Sequence, residues 1–596
     1  MMYHRLRLKQ FLCKIWMILW IPCFVSAAAK HPIAVLKEVH LMLPPDVYQL
    51  DPAMSVDIYS PVLLGNIYEG LLEYHYLKRP LQPVPNLAAA MPRVSSDGCI
   101  YTVTLQKGVF FHDDPCFPNG KGREVVAEDV VYSFKRLAHP IFAFYHLDQL
   151  AYLKGLKDFH QHLNRCPNYY RPQLPGVKAI DRYTVQFTLT KPLPIFLHYL
   201  AMPFASVVAQ EAVDCYGKNF KYHPVGTGPF VLPRLDVNAS QVVFVKNNRF
   251  RDKFFPNESS DKLKHCLASA GKKLPLVDKL VYHRYKSPRD SERLFYKNIV
   301  GVLEKGHLPE KEGLNFIKLF ADADSIEWLK HNGITPLYHV TDGLSFISFN
   351  GLKAPLHLQK VRQAISLAFD RIEFNKRYFN NLGTIPYSYI PPNFAGHNAQ
   401  LLNPYISYDL HKARQLLAEA GYPNGEGFPT LTLDMLLYRG EKLKSAIAFF
   451  IECMKHLGIC VKVQEYSLAD LISKTQRGEH MLAFFDWRAD FPDFSSIFDI
   501  IRYPGIGGGI WLRDDSFDAL YDQAMQTADD RERTKLFAQL DAKAVELVPC
   551  ILLPIIYDYV LVHQWIKNYV MCPFIFPKMK YIDVLPHECK SIKKVK

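Results

Sequence analysis

Few stretches of this chain place reactive side chains at the spacings that catalysis requires. A nucleophile elbow would show G-x-S-x-G and a zinc protease H-E-x-x-H, because each chemistry needs its groups held at fixed backbone geometry; neither pattern occurs. His160-Gln161-His162 is the nearest metal-like pair, but no third histidine or spaced carboxylate accompanies it, so it reads as a polar surface loop. There is no G-x-x-x-x-G-K-S/T phosphate loop. Asp490, within Ala489-Asp490-Phe491-Pro492-Asp493, reads locally as the residue fixing a turn ahead of a proline. Trp487, three positions earlier, reads as a core residue, and Arg477 and Arg488 as solvated or ion-paired cations. Neither catalytic residues nor a metal or cofactor site is expected.

The first residues separate from the rest. Arg5, Arg7, Lys9 and Lys14 precede the apolar run Ile15 to Val25, which ends in Ser26-Ala27-Ala28-Ala29. This is the pattern of a secretory signal peptide over 1–29, too short to be a membrane span. Cys23 raises a lipid-modified cysteine, but Trp20-Ile21-Pro22 lacks the small residues of such a site. Export outside the cytoplasmic membrane, into the periplasm, is the expectation. Those four cations account for four of the formal +13, leaving +9 on the mature chain. The remaining Lys and Arg are dispersed apart from Lys590 to Lys596, which argues against nucleic-acid binding. Ten of the twelve cysteines follow the leader without any C-x-x-C pair; Cys453 and Cys460 could bridge a helix end, and buried thiols are an equal reading.

The chain after the leader exceeds what one hydrophobic core usually supports, so two or three lobes are expected. Val94 to Leu105 carries a turn signal and an alternating run, and with Gly108 and Val109-Phe110-Phe111 it predicts a hairpin; Asp129 to Leu137 predicts a helix. Thr184 to Leu189 reads as a strand, and Val361 to Phe369 and Asp409 to Ala420 as helices, the last closed by Gly421. Thr430 to Leu436, Lys442 to His456 and Ile459 to Val463 read as strand, helix and strand, implying a parallel α/β lobe. Lys253 to Lys273 reads as a polar loop insertion.

A series of landmarks in order resembles the family-5 extracellular solute-binding proteins, the oligopeptide- and dipeptide-binding receptors of ABC importers. They are Asn66-Ile67-Tyr68-Glu69-Gly70-Leu71-Leu72, Ser96-Asp97-Gly98, Ala127 to Ser133, Val225-Gly226-Thr227-Gly228-Pro229-Phe230, Val361-Arg362-Gln363-Ala364, Leu416 to Tyr422, and Asp486-Trp487-Arg488-Ala489-Asp490. The glycines at 226 and 228 mean backbone geometry, not phosphate binding. The resemblance implies an α/β, two-lobed periplasmic-binding-protein-like (class II) fold with an additional inserted domain and a hinge-closing cleft. By analogy lobe I uses 30–68, 208–310 and 564–596, the inserted domain 69–207, and lobe II 311–563.

The same resemblance implies the site. Asp490 occupies the position whose carboxylate pairs with a peptide's amino terminus, and Trp487 should wall the pocket. Backbone around Arg488 would pair with the ligand as an added strand, with the segment containing Val56 and Ile58 as the opposite edge. Tyr145, with Phe142 and Phe144, would be the inserted domain's contribution, against an equally good core reading. Phe484 stands where some relatives carry a basic residue for the ligand's carboxy terminus, so Arg477 or Arg488 is a substitute candidate. The implied partners are a peptide ligand and the permease and ATPase subunits of an importer, met peripherally at the membrane by a monomer. The competing readings are a same-family receptor for a nickel chelate, haem, opine or sugar, and more remotely an exported hydrolase, chaperone or adhesin.

Overall fold

A computed structural model describes residues 36–587 apart from 44–48, 55–59, 143–148, 166–172, 286, 305–321, 393, 395, 396, 399, 438–440, 504–508, 556, 573 and 575–577. The expected leader, Val56, Ile58, Phe144 and Tyr145 lie outside the described residues. The chain divides into residues 1–37 and 38–596, and every element below belongs to the second.

The element that positions the candidate site is a five-stranded sheet in the order Val461–Tyr466, Leu431–Leu436, Leu482–Arg488, Gly343–Phe349, Cys550–Leu552. Its first three strands run parallel, and Gly343–Phe349 is antiparallel to both of its neighbours. Leu431, Leu433, Leu482, Phe346 and Phe349 are buried, as expected of a sheet covered on both faces. Helices Gln359–Ala368, Leu410–Glu419 and Glu441–Lys455 supply one cover, packing Val361, Leu417 and Phe450 against Ile347, Leu433 and Phe484. Leu344, Phe346, Phe485 and Trp487, alternating with those residues, face a second and larger cluster.

Local chemistry explains the boundaries. Leu410–Glu419 starts where the Asp409 carboxylate accepts the Lys412 N–H at 2.9 Å, and Ala127–Leu137 where Asp129 accepts the Val126 N–H at 2.8 Å. The expected strand, helix, strand unit is present as Leu431–Leu436, Glu441–Lys455 and Val461–Tyr466, with the strands parallel. The expected hairpin at 94–111 is not. Ile100–Thr104 pairs with Arg93–Val94 and with Thr184–Thr188, while Phe110 bridges to Glu124. The Gly108 N–H donates to the Glu124 carboxylate at 2.6 Å, which draws that segment away from the strand before it.

A second sheet runs Glu38–Leu43, Lys279–Arg284, Gln241–Lys246, Phe230–Val231, and a third runs Val302–Glu304, Tyr557–His563, Ile334–Val340. The third is joined to the five-stranded sheet by two short connections, Thr341-Asp342 and residues 553–556. The turn at Gly226 meets its steric expectation: a Cβ there would lie 2.0 Å from the Ile67 carbonyl oxygen.

The expected polar loop at 253–273 is largely exposed, and it and the Asp493 turn are each tied down by a buried carboxylate. Lys253, the start of the expected loop insertion, lies 2.5 Å from Glu73, beside the Arg251–Glu69 pair, because two buried glutamates require cations. Asp493 is buried and held by both guanidinium nitrogens of Arg533, one at 2.6 Å. Burial opposes its ionisation, and the Arg533 charge overcomes that, bringing its pKa down to about 2. Arg533→Ala, which strands this carboxylate, is expected to cost about 3–5 kcal/mol in urea unfolding at neutral pH. The loss should shrink as pH falls from about 4 toward 2, where the pair's contribution disappears in the parent protein as well.

Candidate functional site

Strand Leu482–Arg488 lies against Gly343–Phe349 with Asp486 opposite Ser345, Trp487 opposite Leu344 and Arg488 opposite Gly343. Only glycine fits at 343, because a Cβ would stand 2.1 Å from the Trp487 carbonyl oxygen. Beyond the strand, the Ala489 N–H donates to the Asp342 carbonyl at 3.2 Å. Ser496 then anchors the turn twice: its hydroxyl accepts the Asp490 N–H at 2.9 Å, and its carbonyl accepts the Trp487 indole N–H at 3.0 Å. Asp493, fixed by Arg533, accepts the Ser495 N–H at 2.9 Å and so holds the start of helix Ser495–Phe498.

On this frame the Asp490 carboxylate is reachable by solvent yet closely surrounded by protein, which places it in a recess rather than on a convex surface. It has no hydrogen bond or ion pair among the described residues. Desolvation, and secondarily the charge of Asp499, raises its pKa from the usual carboxylate range to about 6. Phe491 packs beside it against Tyr199 and His198, with ring centroids 5.5 and 5.6 Å apart. Trp487 is half-buried, one edge on the large cluster. The arrangement offers an anion to a ligand cation, with aromatic surface next to it.

The arginines are placed differently from the expectation that one receives a ligand carboxylate. The two terminal nitrogens of Arg488 each donate to Asp558 at 2.9 Å, and Asp342 stands 3.7 Å away. Those carboxylates lift its pKa against the opposing effect of burial. Arg477 is exposed and doubly paired with Glu479 at 2.6 and 2.9 Å. Phe484 is buried under the helical cover. Asp493 is a buried anchor behind Asp490. Phe142 is buried with the Arg136 guanidinium 4.6 Å from its ring centroid, and Arg136 in turn binds Asp51, so Phe142 serves packing.

Sequence reasoning missed Ser496, Asp499, Asp342 and Asp558. Ser496 carried a faint signal, as a small polar residue one turn beyond Asp-Phe-Pro-Asp; the others carried none. His160 hydrogen-bonds the Ala138 carbonyl, and no group of three metal-capable side chains occurs among the described residues. Cys453 is buried, Cys460 exposed, and both are free thiols. Two internal cavities, of about 10 and 20 Å³, are lined by Arg371 and Tyr389 in one case and by Glu69 and Lys580 in the other. They have room for a water molecule or two and share no lining residue with the recess.

Residues 82–509 match the family model described as bacterial extracellular solute-binding proteins, family 5. The chain belongs to this family. Among curated relatives, haem-binding protein A of Haemophilus influenzae is 26% identical over 519 residues, 85% of each chain. The dipeptide-binding protein of Escherichia coli is 26% identical over 522 residues, 85% of this chain and 87% of that one. Among solved structures, the periplasmic binding protein DppA of Helicobacter pylori, in complex with the peptide STSA, has a TM-score of 0.69 at 24% identity, covering 92% of this chain and 98% of that one. HbpA2 of Haemophilus parasuis gives 0.69 at 23%, covering 92% and 100%. These likenesses establish the periplasmic-binding-protein type of fold for this family-5 member.

A raised carboxylate pKa disfavours folding as pH rises from the ordinary value through the folded one, so ionised Asp490 destabilises the unliganded protein above about pH 6. Asp490→Asn should therefore match the parent in urea unfolding at about pH 3.5, just below the ordinary carboxylate value, and be at least as stable at pH 7.5. A residue that merely fixed the turn would lose stability at both.

Proposed function

We propose that this family-5 protein is an exported receptor that captures peptides by their amino terminus and delivers them to the permease of an ABC importer. The observation that carries the reading is the Asp490 carboxylate, held in a recess with no cation of its own. An α-ammonium supplies the missing charge and three donors, and pairing within a desolvated recess is selective because either charge alone is costly there. Trp487 offers apolar area beside it, and the chain around Arg488, at the end of its strand, offers backbone groups to an extended ligand. The relatives named for dipeptide and peptide ligands support the same class. A relative is named for haem, but a tetrapyrrole brings carboxylates of its own, which Asp490 would repel.

Closure follows from the two connections at Thr341-Asp342 and 553–556. They join the five-stranded sheet to the sheet Val302–Glu304, Tyr557–His563, Ile334–Val340, and paired crossings of this kind allow rotation about one axis. Lobe I from 30–68, 208–310 and 564–596, an inserted domain at 69–207 and lobe II at 311–563 are the proposed rigid parts. A ligand touching both lobes favours the closed form that the permease and its ATPase would recognise. In this reading the chain acts by binding rather than catalysis, and the leader-like pattern and the family support a location outside the cytoplasmic membrane.

Calorimetry with a tripeptide and its N-acetylated form should show at least about thirtyfold weaker binding for the blocked peptide, and a similar loss for Asp490→Asn with the free one. Binding needs Asp490 ionised, and the α-ammonium stays charged throughout the acidic range. With a pKa of about 6, affinity should therefore fall by roughly tenfold between pH 7 and pH 5, and this slope should vanish in Asp490→Asn. Equal affinity for free and blocked peptides would end the proposal.

A further inference from the structure

We infer that Cys116 and Cys215 close a disulfide in the oxidising compartment outside the cytoplasmic membrane, tying the loop between Phe111 and Arg123 to helix Gln210–Tyr216. The inference rests on the proposed exported location, because a cytoplasm keeps such thiols reduced. Two contacts place the pair. The Tyr216 hydroxyl donates to Asp114 Oδ1 at 2.7 Å, and the Arg123 guanidinium donates to Glu211 through Nε at 2.5 Å and Nη2 at 2.7 Å. Arg123 is itself fixed by Asp129 at 2.7 Å. The loop therefore runs opposite to the helix, with Cys116 between the loop's two anchors and Cys215 between the helix's two. Within the helix Cys215 follows Glu211 by four residues, so it lies on the face that Glu211 turns toward the loop. Within the loop the Cys116 N–H donates at 2.9 Å to the same Asp114 oxygen that receives Tyr216, which holds Cys116 close to the neighbour of Cys215.

Both thiols are free, Cys116 partly buried beside Tyr216 at the edge of the large cluster and Cys215 exposed. Burial and then Asp114 push the Cys116 thiol up, and Cys215 and Glu211 add to the effect through their charges. The reaction has an order set by this difference. Exposed Cys215, as thiolate, attacks one sulfur of a small disulfide such as glutathione disulfide, releasing one thiol and leaving a mixed disulfide. Cys116 then gives its proton to water and attacks Cys215 Sγ, releasing the second thiol. Two electrons and two protons pass from the cysteines to the oxidant. Once formed, the bond resists reversal: the reachable sulfur is that of Cys215, and attack there must expel Cys116 as a thiolate where burial and Asp114 oppose negative charge. The bond closes a loop of about a hundred residues, long enough to restrict the unfolded chain substantially. It also joins the proposed inserted domain to the proposed first lobe.

The test oxidises the full mature chain with glutathione disulfide, alkylates what remains free, and maps the digest by mass spectrometry without reductant. A linked peptide pair carrying Cys116 and Cys215, two hydrogen masses below the sum of its parts, is expected. Cys116→Ser should stop at the glutathione adduct on Cys215. In millimolar reduced glutathione the closed bond should open at least about tenfold more slowly than that adduct. Alkylation of both thiols after oxidation, a bond from either to a different cysteine, or a glutathione adduct on Cys215 that persists in the parent chain overturns the inference. So does a closed bond that opens as fast as the adduct. If the chain made with its own leader is found inside the cytoplasm, the proposed function fails instead, while the purified chain still decides the pairing, so the two failures are separable.

Discussion

The Asp490 carboxylate, crowded by protein and given no cation among the described residues, sets the terms for the structure around it. Moving a charge out of water without a partner is among the more expensive arrangements available to a chain, and it persists only where the surroundings hold it firmly. Three separate restraints do so. The antiparallel partner approaches so closely at Gly343 that no side chain fits between the backbones. Ser496 clamps the turn through both its hydroxyl and its carbonyl. The Asp493–Arg533 pair ties the far end of the turn to helix Asp530–Leu547. The five-stranded sheet behind them, covered by helices on one face and by the large cluster on the other, supplies the rigidity.

Arg488 connects this recess to the segments that would move. Its strand belongs to the five-stranded sheet, while Asp342 and Asp558 lie at or just beyond the two connections to the next sheet. A single guanidinium is therefore braced against both crossings. Because a bidentate pair has fixed geometry, rotation about the crossings changes the charge around the recess as well as its width.

The sequence revealed elements far better than partnerships. Periodicity located helices Gln359–Ala368, Leu410–Glu419 and Glu441–Lys455, because their apolar stripes and the Asp409 cap are local. It misjudged 94–111, where a side chain sixteen residues away, Glu124, decides where Gly108 turns. It read 253–273 as a polar loop, which is largely exposed, but nothing nearby announces that Lys253 at its start pairs with the buried Glu73. Asp490 was legible only through a family resemblance. By itself Asp-Phe-Pro is a turn, and the property that distinguishes the residue, an enclosed carboxylate without a cation, depends on what the fold does not bring to it. The partner of Arg488, seventy residues later in the chain, had no local signature at all.

Asp490 and Asp493 make the underlying physics plain. Three residues apart in one turn, Asp493 buried and Asp490 in contact with solvent but crowded by protein, they titrate in opposite directions, near 6 for Asp490 and near 2 for Asp493. Burial pushes both upward; the difference is Arg533, which the fold delivers to one and withholds from the other. Asp493 spends its charge inside the protein and becomes an anchor, whereas Asp490, without a cation among the described residues, is the proposed contact for a ligand amine. The difference between the anchoring carboxylate and the proposed binding one therefore does not lie in residue type or neighbours in sequence. It lies in whether the fold provides a cation, and an amine-bearing ligand is the proposed complement to a carboxylate that has none among the described residues.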